Sequence, residues 1–112
     1  MKNGPMSSER LLVSLNCEHC GGSNLHQEQV EIYRGESPED SPILQRTVCD
    51  RLGNVHTDKV PRVNSRNPSP RRDGVRMVFS CEQCGGFTNL LIAQRKGVEY
   101  LQTCRDGERL ST

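Results

Sequence analysis

The hexapeptide Cys17-Glu18-His19-Cys20-Gly21-Gly22 recurs in shape as Cys81-Glu82-Gln83-Cys84-Gly85-Gly86, with sixty residues between Cys20 and Cys81. Two thiolates spaced by two residues reach one metal ion from a single tight turn. The glycine after the second cysteine takes the positive φ that turns backbone N–H groups towards the sulfurs. Two such half-sites with matching glycines predict a four-cysteine tetrahedral zinc site. One Zn²⁺ would be held by Cys17, Cys20, Cys81 and Cys84. Four protein ligands leave no open coordination position, so this zinc is expected to be structural.

The rest of the composition makes such a staple necessary. Leu, Ile, Val and Phe number 24 of 112 residues, there is no Trp, and Phe and Tyr occur twice each. A core so thin needs a second source of stability. A reducing compartment favours zinc over disulfides for Cys-x-x-Cys pairs. No apolar run approaches a membrane span, and no basic-then-apolar leader with a cleavage site opens the chain. The expectation is therefore a cytoplasmic protein without membrane contact.

Alternation and turn signals give a mostly β chain. Leu25–Arg34 reads as a half-buried strand, with His26, Glu28, Val30 and Ile32 alternating against Gln27, Gln29, Glu31 and Tyr33. Leu44–Asp50 and Val55–Val60 read as a hairpin around Leu52-Gly53-Asn54. Val75–Ser80, with Val75, Met77 and Phe79 on one face, runs into the second knuckle. Asn89–Gln94 and Val98–Thr103 read as a hairpin across Arg95-Lys96-Gly97. Pro38 and Pro42 mark residues 35–42 as a loop, and Pro61, Pro68 and Pro70 mark residues 61–74 as another. The predicted organisation is a flexible leader over 1–14, with one helical turn capped at Ser7-Ser8-Glu9. A single domain over 15–104 follows, containing an insert at 35–74 between the knuckles, and then a flexible tail over 105–112.

Two knuckles beside short strands resemble the zinc-ribbon fold, in which knuckles on neighbouring antiparallel hairpins clamp one zinc. The run from Asn67 to Gly74, through Cys81-Glu82-Gln83-Cys84, to Ala93-Gln94-Arg95-Lys96-Gly97 is similar to small uncharacterised zinc-ribbon proteins of bacteria and their phages. That resemblance implies the fold and the zinc, a bacterial cytoplasm or that of a phage's host, and no particular activity. The long insert, an extra hairpin and two loops, departs from a minimal ribbon.

The net charge of +1 conceals two opposed segments. Residues 24–40 carry Glu28, Glu31, Glu36, Glu39 and Asp40 against Arg34; residues 62–76 carry Arg62, Arg66, Arg71, Arg72 and Arg76 against Asp73. One reading is an acidic and a basic face of the same domain. The other takes the five arginines, interspersed with Asn64, Ser65, Asn67 and Ser69, as a phosphate-gripping loop of a nucleic-acid-binding accessory factor. No aromatic residue in that loop offers a stacking platform. The alternative function is a protein-interaction module, such as a phage-encoded modulator of a host complex, using the sheet, the acidic segment or a free strand edge.

An enzyme is not expected. Phosphate-cradling glycine loops, Gly-x-Ser-x-Gly and His-Glu-x-x-His are all missing from the sequence. A thioredoxin-type dithiol needs a βαβ pattern that the sequence lacks. His19 is expected to be exposed rather than a ligand, and His26 and His56 stand isolated. Cys49 and Cys104 lie outside the knuckle spacing; Cys104 shares a strand face with Val98 and Tyr100 and is expected to be an inert buried thiol. A disulfide between them would require an oxidising setting.

Overall fold

The computed structural model describes residues 12–37 and 40–107. Its elements are six strands: β1 (Leu25–Gly35), β2 (Ile43–Asp50), β3 (Val55–Pro61), β4 (Gly74–Cys81), β5 (Phe87–Arg95) and β6 (Val98–Arg105). All pair antiparallel in one sheet of order β3-β2-β1-β4-β5-β6. The β1–β2–β3 and β4–β5–β6 meanders meet along a central β1–β4 seam. No helix occurs among the described residues, and none there is long and apolar enough to cross a membrane. The expected capped turn at Ser7-Ser8-Glu9 lies outside the described residues.

The hairpin turns follow from their residues. Lys96 and Gly97 both have positive φ, 52° and 81°, as a two-residue turn between twisted strands requires. In the β2–β3 turn the Asp50 carboxylate accepts from the Leu52 and Asn54 backbone N–H groups at 2.9 and 3.0 Å. Gly53 supplies the left-handed residue, with φ 86°.

The faces of the sheet differ from the simple apolar alternation. Cross-strand partners share a face. Glu31, Tyr33, Leu44, Arg76, Leu91, Ala93 and Cys104 share one face and are buried, and Asn67 and Pro68 of the 61–73 loop approach that face at Gly74. On the opposite face Ile32, Val75, Ile92 and Leu101 form one cross-strand row, and Ile32 and Leu101 are exposed. In β1 it is thus Glu31 and Tyr33 that go inside. A bulge between Gln27 and Gln29 breaks the alternation, so His26 and Val30 lie on opposite faces. In β4, Val75, Met77 and Phe79 do share a face, but Arg76 on the other side is as buried as Phe79.

Charge explains the inversion. Glu31 Oε1 accepts from the Tyr33 hydroxyl and Glu31 Oε2 from Arg76 Nη1, both at 2.6 Å. Arg76 Nη2 also donates to Asp106 Oδ1 at 2.8 Å, which Asn89 Nδ2 reaches at 3.1 Å. Burial and the adjacent Glu31 carboxylate drive the Tyr33 hydroxyl pKa well up, keeping it a neutral donor.

Candidate metal centre

The β1–β4 seam creates the site. Leu25 at the start of β1 pairs with Cys81 at the end of β4, and Glu82 N donates to Asn24 O at 3.0 Å. The first knuckle, just before β1, is thereby set against the second, at the tip of the β4–β5 hairpin. The two knuckles repeat one another's geometry. Cys17 N donates to Gly22 O at 2.7 Å and Cys81 N to Gly86 O at 2.9 Å; Gly21 N and Gly85 N donate to Cys17 O and Cys81 O, each at 2.9 Å. Gly21 and Gly85 have φ 79° and 76°, as their place after the second cysteine demands. Unlike the expected arrangement, only the second knuckle sits on a hairpin: residues 12–16, which lead into the first, are in no strand.

The four Sγ atoms all lie within 4.8 Å of one another, and the Cys17–Cys84 and Cys20–Cys81 distances are both 3.6 Å. A tetrahedral metal–sulfur distance of about 2.3 Å sets sulfurs about 3.8 Å apart, so this donor set fits a four-coordinate ion. Backbone N–H groups face three of the sulfurs: His19 to Cys17 at 3.3 Å, Gly22 to Cys20 at 3.4 Å and Gly86 to Cys84 at 3.4 Å. Their electrostatics are unequal. The Cys20 N–H, opposed by burial and seconded by the His19 N–H, brings the Cys17 thiol down to about 6. The Gly86 N–H acts likewise on Cys84, but burial and the three neighbouring cysteines outweigh it and push that thiol up to about 12. Cys20 is also raised: the Gly22 N–H lowers it, and Cys81 with burial prevails. A cation entering the cluster must therefore displace protons, which ties metal loading to pH.

One pair of contacts went unread in the sequence. A Cβ added at Gly86 would come within 2.5 Å of the His19 ring, and one at Gly22 would overlap the Gln83 amide oxygen. His19 and Gln83 are the third residues of their respective knuckles, so each knuckle lays that residue over the other's second glycine. The doubled Gly-Gly was the available signal. As expected, His19 is exposed; its Nε2 lies 3.2 Å from Phe87 O. The first knuckle is further anchored through Glu18, whose N–H donates to Thr88 Oγ1 at 2.9 Å and whose carboxylate accepts from Thr103 Oγ1 at 2.8 Å.

Cys49 and Cys104 stay outside the cluster and are in no disulfide. They occupy opposite faces of the sheet, on β2 and β6, which leaves a disulfide between them without a geometric route. Cys104 is buried on the face it shares with the exposed Val98 and Tyr100.

The five arginines do not form one surface. Arg76 is buried in the ion-pair network described above, so it cannot meet a phosphate. Arg62 organises its own loop, donating to Ser41 O at 2.7 Å and to Ser69 O and Arg72 O at 3.1 Å. Arg71 forms a bidentate pair with Asp40 at 2.6 and 2.7 Å, and that carboxyl is held below its ordinary pKa by the guanidinium. Arg72 is half-buried, and Arg66 is exposed. Asn67 and Ser69, read from sequence as further phosphate donors, are buried and bonded within the loop and to Gln94 O. The acidic and basic segments thus meet each other, at Glu31–Arg76 and Asp40–Arg71. Compared with protein-family models, curated proteins and solved structures, the chain matches none.

Proposed function

We propose that this chain is a non-enzymatic β module of zinc-ribbon type, held together by one structural Zn²⁺, that works by contact with another protein. Thiolate sets of this geometry suit zinc or iron among biological metals, and closure by four protein ligands argues for a structural role. The observation that favours protein over nucleic acid is the internal use of the arginines: Arg62, Arg71 and Arg76 hold their own fold together. The cavity beside the loop, about 660 Å³, is mixed in sign, with Glu28, Glu31 and Asp106 facing Arg46, Arg66 and Arg76. A phosphate groove carries one sign of charge.

The experiment is capture of partners from bacterial lysate on the metal-loaded protein, with and without nuclease, beside a titration with duplex and single-stranded DNA and RNA at low salt. Nuclease-resistant capture of a defined protein and no nucleic-acid binding is the expected result. Nucleic-acid binding that falls steeply with salt and weakens in Arg66→Ala would return the function to the nucleic-acid reading. Metal analysis giving one zinc per chain checks the cofactor; iron or no metal overturns it.

A further inference from the structure

We propose that β6 pairs antiparallel with β6 of a second copy, about a twofold axis at Gln102, joining two six-stranded sheets into one. The two edges of the sheet are unlike. β3 carries Asp58 and Lys59 and ends in Pro61, residues that discourage strand addition. β6 is eight residues long, has no proline, lysine or register break, and leaves Val98, Tyr100 and Leu101 exposed. Among the described residues no strand lies beyond β6, and such an edge is a template for pairing.

Backbone direction limits the registers. Asp106 N donates to Phe87 O, in step with the Thr88–Arg105 pairing. In an antiparallel ladder hydrogen-bonded and open pairs alternate, so the even-numbered residues of β6 aim their N–H and C=O groups at β5. Glu99, Leu101, Thr103 and Arg105 then aim theirs at the outer edge. A twofold ladder must set odd residues against odd ones.

Charge selects among these registers. The only charged residues of β6 are Glu99 and Arg105, three positions on either side of Gln102. Centring the axis on Gln102 sets Glu99 of each copy opposite Arg105 of the other and Leu101 opposite Thr103. Centring it on Leu101 sets Glu99 opposite Thr103 and Arg105 opposite Gly97, and centring it on Thr103 sets Glu99 opposite Gly107 and Arg105 opposite Leu101, so neither register pairs the two charges. Cross-strand opposite charges and a polar–apolar centre make the Gln102 register the self-complementary one. Arg105 already leans on the first knuckle, with Nε 3.4 Å from Glu18 O. This inference is independent of the proposed protein partner: a monomer would leave the captured partner as it is.

The test uses the full, metal-loaded chain. Light scattering and sedimentation across protein concentration should show the mass doubling. Leu101→Pro removes an outward N–H that no described residue accepts, and should abolish the dimer while metal content stays unchanged. Glu99→Arg should weaken dimerisation about tenfold, and Glu99→Arg with Arg105→Glu should restore it. The register has its own readout. Facing Gln102 residues form an open pair about 4.5 Å apart at Cα, within disulfide reach. In a Cys104→Ala background, Gln102→Cys should crosslink with oxidised glutathione and Glu99→Cys should not. A monomer at every concentration, a dimer indifferent to Leu101→Pro, or crosslinking through Glu99→Cys in preference to Gln102→Cys would each overturn the proposal.

Discussion

Arg76 and Glu31, forty-five positions apart in the chain, meet at 2.6 Å across the central seam with both side chains more than nine-tenths buried. Removing one member leaves the other charged and unpaired away from water, at a cost of about 3–5 kcal/mol. Arg76→Met is therefore expected to lose that much by denaturant titration. Arg76→Met with Glu31→Leu should cost less than Arg76→Met alone, because no buried charge is stranded. A double variant as unstable as the sum of the singles would contradict this account of the seam.

The crossed contacts at the metal centre separate two glycines that the sequence makes look equivalent. A Cβ at Gly86 meets the stiff imidazole of His19, whereas one at Gly22 meets the far end of the flexible Gln83. Gly86→Ala should cost about 1–3 kcal/mol through overpacking, Gly22→Ala less. Adding His19→Ala to Gly86→Ala should recover most of the loss. Competition with a chromogenic chelator reads the same order in metal affinity.

Arg62 and Arg66 stand four residues apart and should behave oppositely. Arg62→Ala removes a charged donor from three carbonyls, and is expected to destabilise by about 2 kcal/mol. Arg66→Ala, at an exposed position, should stay within about 0.5 kcal/mol of the parent. Equal effects in urea titrations would refute the view that the loop is held from within by Arg62.

Asp50 gives a pH-dependent test. The Asn54 backbone N–H, then the Asn54 side chain and the Leu52 and Gly53 N–H groups, hold its carboxyl below its ordinary value of 3.8. A folded pKa below the unfolded one adds stability above the unfolded value, and that stability drains away as pH falls through the folded value. Asp50→Ala should thus lower the unfolding midpoint at neutral pH, and the gap to the parent should close in acid below the ordinary aspartate pKa. A gap that stays constant from neutral pH into acid would show that the turn does not depend on the carboxylate.

Much of this architecture is written locally. The knuckles are legible because ligand spacing and glycine conformation are properties of six consecutive residues. The strands are legible because Leu52-Gly53-Asn54 and Arg95-Lys96-Gly97 punctuate the apolar alternation. What escapes the sequence is decided across the β1–β4 seam. Arg76 reads as one of five arginines of a basic loop until β1 brings Glu31 beside it, and the alternation of His26, Glu28, Val30 and Ile32 does not reveal the bulge at Gln27 and Gln29 that puts His26 and Val30 on opposite faces. Arg62 likewise looks available for phosphate, since nothing local reveals that Ser41 O, twenty-one residues earlier, will lie within its reach.

The meeting of Cys20 with Cys81 also predicts an order of assembly for a chain that binds metal there. Bringing together residues sixty-one positions apart has a closure cost that grows as (3/2)RT ln n, about 3.7 kcal/mol for that length. A metal captured early by both knuckles would close this loop before the central ladder forms, and β1 and β4 would then zip from Leu25 and Cys81 outward. Each three-stranded meander, by contrast, closes through short turns and needs no such help. Refolding should accordingly be fast within the two meanders and metal-gated between them, with the slow rate rising as free metal rises.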